Sequence, residues 1–194
     1  MIGMFFECKS LKSINLEGLK TNKINNMYNL FSSCNSLTSL NLRNLDTSKV
    51  TDMSGMFQNC YSLKILDISN FNTGELIFVK NMFQNCSSLE NLDIRSFDTS
   101  KVQSMEYMFQ KCSSLTSLDV TRFKTENVNN MNFMFYQCSK LTSLDLSNFN
   151  TENCFSFTNI FYSCRNLTIS INKQHCENLL KMVPSYVVVN VIDE

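Results

Sequence analysis

The chain has 194 residues, 43% of them apolar, with 17 Lys and Arg balancing 17 Asp and Glu. That apolar share is too high for a disordered chain, and the balanced charge gives no electrostatic case for nucleic acid or an anionic membrane as partner. No run approaches the ~18–20 consecutive apolar residues of a membrane-spanning helix, so no membrane insertion is expected.

The first residues, Met1-Ile2-Gly3-Met4-Phe5-Phe6-Glu7-Cys8, lack the basic start and long apolar core of a secretory signal. They enter a repeat at once. Either the protein is intracellular or the chain is a piece of a longer one, and the residues leave both open. With Gly at only 4 positions and Pro at 1, no flexible linker marks a domain boundary.

The repeat has a period of 26, read from Cys8, Cys34, Cys60, Cys86, Cys112, Cys138 and Cys164. A Phe stands three places before each (Phe5 through Phe161) and a Leu three places after (Leu11 through Leu167). A fixed period in this range is the signature of stacked coils, about seven of them here. Seven cysteines at one repeat position have no natural pairing, and the chain has no Cys-x-x-Cys. The lone His175 sits beside Cys176 in the tail, away from the column. A buried column of reduced thiols is therefore expected, with no metal site.

Two elements are predicted within each coil. Leu63-Leu66-Ile68, Leu89-Leu92-Ile94, Leu115-Leu118-Val120 and Leu141-Leu144-Leu146 each end in an apolar–polar–apolar alternation, a short strand with one buried face. Thr21, Thr47, Thr73, Thr99, Thr125 and Thr151 then open a second pattern, as in Val50, Met53, Met56 and Phe57, whose spacing predicts a short helix with Thr as its cap. Its methionines (Met53, Met56, Met105, Met108, Met131, Met134) read as core rather than as a soft binding surface. A Thr row facing water would suit ice binding, but capping accounts for it. Phe71, Phe97, Phe123 and Phe149, with Leu19 and Leu45 before them, form a second internal column. Because a helix is wider than a strand, the stack should curve with its strands on the concave side.

The fold class expected is therefore α/β: a parallel sheet on the concave face and short helices on the convex face. Met-Phe-x-x-Cys-x-Ser-Leu-x-x-Leu-Asp-Leu-Ser-x-Phe-x-Thr, matched closely over Met56–Phe71 and Met108–Val128, resembles the BspA-like class of leucine-rich repeats, the bacterial surface-protein 26-residue repeat. The resemblance covers about residues 1–170 and implies a leucine-rich-repeat solenoid there, with residues 171–194 as a C-terminal cap. It further implies an interaction protein of the cell surface or a secreted one. Leucine-rich repeats commonly carry an Asn after the strand that ties coils together. Phe71, Phe97, Phe123 and Phe149 stand there instead, so no Asn ladder is expected.

Near its end the pattern slips: Leu167, Ile169 and Ile171 run one residue out of step, as an end coil requires. A helical turn is predicted around Asn178–Met182 and a strand over Tyr186–Ile192. The first coil has no comparable cover, which points to a fragment or to self-association through that uncapped end.

The repeats contain no Gly-rich phosphate loop, no His-Glu-x-x-His, no nucleophile elbow and no Cys/His pair. No enzyme activity and no cofactor are expected. Asp67, Asp93, Asp119 and Asp145 form a column on the exposed strand face, its charge relieved by Arg43, Lys64, Arg95 and Arg122 rather than by a cation. The leading reading is a non-enzymatic protein-protein interaction or adhesion module, holding another protein or surface macromolecule on the concave face. Lys64, Asp67, Glu90, Asn91, Asp93, Arg95, Thr116, Ser117, Asp119, Thr142, Ser143 and Asp145 would make the contacts. The alternative is a structural spacer or end-to-end assembly element.

Overall fold

Val50, Met53, Met56, Cys60 and Leu63 are all fully buried, and what spaces them by threes and fours is a run of tight turns. The computed structural model describes residues 1–192. Its regular elements are β1 (Ser39–Asn41), β2 (Ile65–Asp67), β3 (Ser143–Leu146), β4 (Thr168–Asn172), α1 (Glu177–Leu180) and β5 (Val188–Ile192). All pairing is parallel, β1 with β2 and then β3 with β4 with β5.

The predicted helices after each Thr are absent, and this corrects the expected convex layer. Between Met53 and Cys60 the backbone alternates. Met53, Gly55, Phe57 and Asn59 donate their N–H groups to Phe78, Lys80, Met82 and Gln84 of the next coil, at 2.8–2.9 Å. Met56, Gln58 and Cys60 instead donate within the coil, to Met53, Gly55 and Phe57. Gly55 and Asn59 lie in the left-handed region, at φ 63° and 61°. An α-helix of L-residues cannot pass through such positions. The two left-handed sites recur in every coil, at Gly3, Asn29, Gly55, Asn81, Tyr107, Phe133 and Asn159, and four residues further on at Glu7, Ser33, Asn59, Asn85, Lys111, Gln137 and Ser163. Gly or Asn fills the first site in five of these seven coils because it tolerates that conformation. Gly55→Ala is expected to lower stability by about 1 kcal/mol. Its new Cβ would also displace the Asn29 side chain. Urea titration of the single variant checks this, and no change would mean the turn relaxes freely.

A parallel bridge runs through this side without interruption, Asn26 to Asp52 to Phe78 to Ser104 to Asn130 to Ser156. The strand side is less continuous. Residues 91–94 and 117–120 keep the alternation of buried and exposed side chains but form no paired strand, correcting the expected unbroken sheet. Since the turn side already ties each coil to the next, the strand side is not obliged to. With no helices there, the width difference that would bend the strands to a concave side is missing as well.

The core is a set of columns. Phe5, Phe31, Phe57, Phe83, Phe109, Phe135 and Phe161 stack with centroids 5.2–6.1 Å apart and planes within 11°. The methionines named above are buried, as are Phe71, Phe97, Phe123 and Phe149. The Thr column is not a set of helix caps. Thr47, Thr73, Thr99 and Thr125 are buried, and each hydroxyl reaches the next coil. Thr99 Oγ1 donates to Lys124 O at 2.9 Å and accepts from Lys124 N at 2.8 Å. Thr47, Thr73 and Thr125 make the same pair of bonds to Asn72, Asp98 and Asn150. A Thr ladder therefore does the tying that Asn does in other repeats. Being buried, the row cannot meet ice.

At the far end, β4 pairs β3 with Thr168 opposite Ser143, an offset of 25 that absorbs the one-residue slip and keeps Ile169 and Ile171 facing Leu144 and Leu146. The tail then supplies groups a further coil would have supplied. Ser163 N donates to Tyr186 Oη at 3.0 Å, and that hydroxyl donates to Phe161 O. Thr151 N and Oγ1 both donate to His175 O. α1 falls where the helical turn was predicted, and β5 begins two residues later than its prediction.

Candidate functional site

The alternation of the strand face aims one side chain in two at solvent. Lys64, Glu90, Asn91, Asp93, Arg95, Thr116, Ser117, Asp119, Thr142, Ser143 and Asp145 are exposed, and Asp67 is half-buried. They lie in files, coil above coil, so the structure brings the sequence-derived set onto one surface. Ile65, 68% exposed on the same face, was missed. The signal was available, since Ile65 stands where Asn91, Ser117 and Ser143 stand in other coils. Between the central coils is a depression of about 230 Å³ edged by Asn91, Asp93, Arg95, Ser117 and Asp119, with Leu92 and Leu118 also lining it.

The aspartates have a second occupation. Asp67, Asp93, Asp119 and Asp145 each accept, through Oδ1, the backbone N–H two residues on, at Ser69, Arg95, Thr121 and Ser147. Asn15 and Asn41 do the same in the early coils. The column therefore closes the turn that follows each strand. Arg95 holds Asp93 with two further bonds, Nε to Oδ1 at 3.0 Å and Nη2 to Oδ2 at 2.8 Å. That guanidinium pulls the Asp93 carboxyl down to about 2. The Ser69 hydroxyl, with Arg43 2.6 Å away, lowers Asp67, and the Thr121 hydroxyl lowers Asp119. The nearby charges of Arg95 and Arg122 add to the lowering of Asp119, as expected of Arg122, while Lys64 makes no ion pair among the described residues. Acid–base catalysis by paired carboxylates needs one of them held protonated near neutral pH. Asp67, Asp93 and Asp119 are shifted the other way, so this face offers fixed anions. Among the described residues no three His, Cys, Asp or Glu side chains gather as metal ligands.

The thiols are placed for packing. Cys34, Cys60, Cys86, Cys112, Cys138 and Cys164 each donate S–H to the carbonyl of the Phe 29 residues earlier. Burial raises Cys60 and Cys112 to about 12 and Cys86 and Cys138 well above the ordinary thiol value. Cys176 donates to Phe149 O and is raised to about 11, so it forms no nucleophile with His175. The thiolate is the reactive form. At pH 8 iodoacetamide is therefore expected to label Cys8, the one half-buried thiol, quickly and the eight buried ones only after unfolding. Mass spectrometry of the labelled chain checks this; fast labelling of Cys86 in the folded chain would refute it.

A family model described as Mycoplasma protein of unknown function, DUF285, matches residues 1–117 and again residues 79–186. Two overlapping matches on one chain are what a tandem repeat produces. None of the curated proteins matches the chain.

Proposed function

Because the chain belongs to the DUF285 family, we propose that it is a non-enzymatic binding module, a BspA-like leucine-rich-repeat solenoid whose strand face holds another protein or surface macromolecule. The carrying observation is the file of exposed polar side chains on that face, with Ile65 and the depression between Asn91 and Ser117 among them. Polar positions with an exposed apolar side chain among them suit a protein partner. The Met-Phe-x-x-Cys repeat supports the leucine-rich-repeat assignment, and with it a place at the cell surface or outside the cell.

Glu90, Asn91, Thr116 and Ser117 are free to make contacts because none of their side chains is engaged in a hydrogen bond within the described chain. They make a better test than the aspartates, whose loss would also open a turn. With the chain immobilised against surface-extracted proteins, the double variant Glu90→Arg/Thr116→Arg is expected to retain about tenfold less partner than the parent. Its melting temperature should not change. Equal retention by the variant would remove the strand face as the site.

A further inference from the structure

A second cleft, of about 510 Å³, opens where the turn side hands over to the strand side. Its long direction follows the stack. Ser87, Ser113 and Ser139 line it at one repeat position, with Asn85, Lys111, Gln137 and Ser163 at another and Tyr61 at one end. Seven of these eight side chains are neutral, and all eight carry a hydroxyl, an amide or an ammonium group. Part of the backbone beneath is already spent. Asn85 N donates to Gln110 O, Lys111 N to Tyr136 O and Gln137 N to Tyr162 O, so these three N–H groups do not pair with a peptide.

Residues next to the cleft in sequence depart from the repeat at the same coils. Tyr136 and Tyr162 directly precede Gln137 and Ser163, at the position that Gln58, Gln84 and Gln110 hold elsewhere. They stack on each other at 5.1 Å, and Phe133 meets Tyr136 edge-on at 5.6 Å. Phe133 and Tyr107 themselves occupy left-handed positions, at φ 57°, where most coils have Gly or Asn. A bulky side chain there is disfavoured. These coils thus carry aromatics close in sequence to residues of the cleft, two of them at a backbone cost.

We propose that this cleft binds a linear, neutral glycan laid along the stack. Hydroxyls and amides exchange hydrogen bonds with sugar hydroxyls, and the Tyr61 ring at the end of the cleft offers apolar surface to a sugar face. The register favours a glycan over a peptide. The cleft repeats its groups once per coil, at about 4.8 Å, whereas an extended peptide repeats its side-chain direction only every ~6.7 Å. A pyranose unit is close to one coil in length. This surface is separate from the strand face, so either proposal can fail alone.

The test is calorimetric titration of the whole chain with cellohexaose, with hexa-N-acetylchitohexaose and with an oligogalacturonate of the same length. At least one neutral hexamer is expected to bind. Lys111→Gly and Gln137→Gly keep their left-handed backbone, and Tyr61→Ser installs the residue that the next three coils carry there. Each should weaken binding by about tenfold, with unchanged melting temperatures. Glu90→Arg/Thr116→Arg should bind the hexamer as the parent does. No binding by either neutral hexamer, binding of the oligogalacturonate alone, or a full-strength response from all three cleft variants overturns the proposal. So does displacement of the bound hexamer by an unstructured polar dodecapeptide at equal concentration.

Discussion

Phe109→Ala is expected to cost about 4 kcal/mol of unfolding free energy, near the top of the range for a single core truncation. Phe109 is fully buried, and its ring stacks on Phe83 at 5.6 Å and on Phe135 at 5.7 Å. Truncation removes two aromatic contacts, each worth ~0.5–1.5 kcal/mol beyond the area term. It also leaves a cavity that the columns on either side cannot close. In a stack of repeats, stability is close to a sum of coil terms and nearest-neighbour terms. A central lesion therefore weakens two interfaces and should broaden the urea transition. Phe5→Ala removes one stacking partner from a half-buried ring, and about 1–2 kcal/mol is expected there. Urea titration followed by circular dichroism compares the two. Equal losses would mean the column is not acting as a chain of neighbours.

Thr99→Val is expected to cost about 2–3 kcal/mol although it preserves shape and adds apolar surface. The Thr99 hydroxyl is the partner of both the N–H and the carbonyl of Lys124 in the next coil. Valine leaves both backbone groups unpaired beside a fully buried site, and an unmet buried group costs ~1–3 kcal/mol. Thr99→Ser keeps the hydroxyl and should cost about 1 kcal/mol or less. Amide exchange at Lys124 gives a second readout, fast in Thr99→Val and protected in Thr99→Ser. A Thr99→Val chain as stable as the parent would return the Thr column to a local turn role.

Both predictions concern columns visible in the sequence, yet only one was read correctly from it. The Phe column needs nothing but periodicity, since a large apolar residue every 26 positions has to be buried somewhere. The Thr column has the same periodicity but a residue type with two uses. A hydroxyl near an apolar run can bond its own chain or the coil above, and only the fold says which is within reach. The Asp column shows the same ambiguity. Its exposure was legible from the alternation, while its role in closing the turn depended on where Ser69, Arg95, Thr121 and Ser147 place their N–H groups.

The amino-acid sequence by itself determined the repeat, its phase, the columns of Phe, Cys, Leu and Met, and the one-residue slip ahead of β4, because burial of an apolar pattern follows from its period. It could not tell a helix from a chain of turns. Spacings of three and four suit both, and at the left-handed sites Tyr107, Phe133 and Lys111 hide what Gly55 and Asn81 suggest. Tertiary structure decided that point, because alternate N–H groups of these segments find their acceptors one coil away and the others three residues back, not four. The same stacking decided which polar residues hold coils together and which remain available to a ligand.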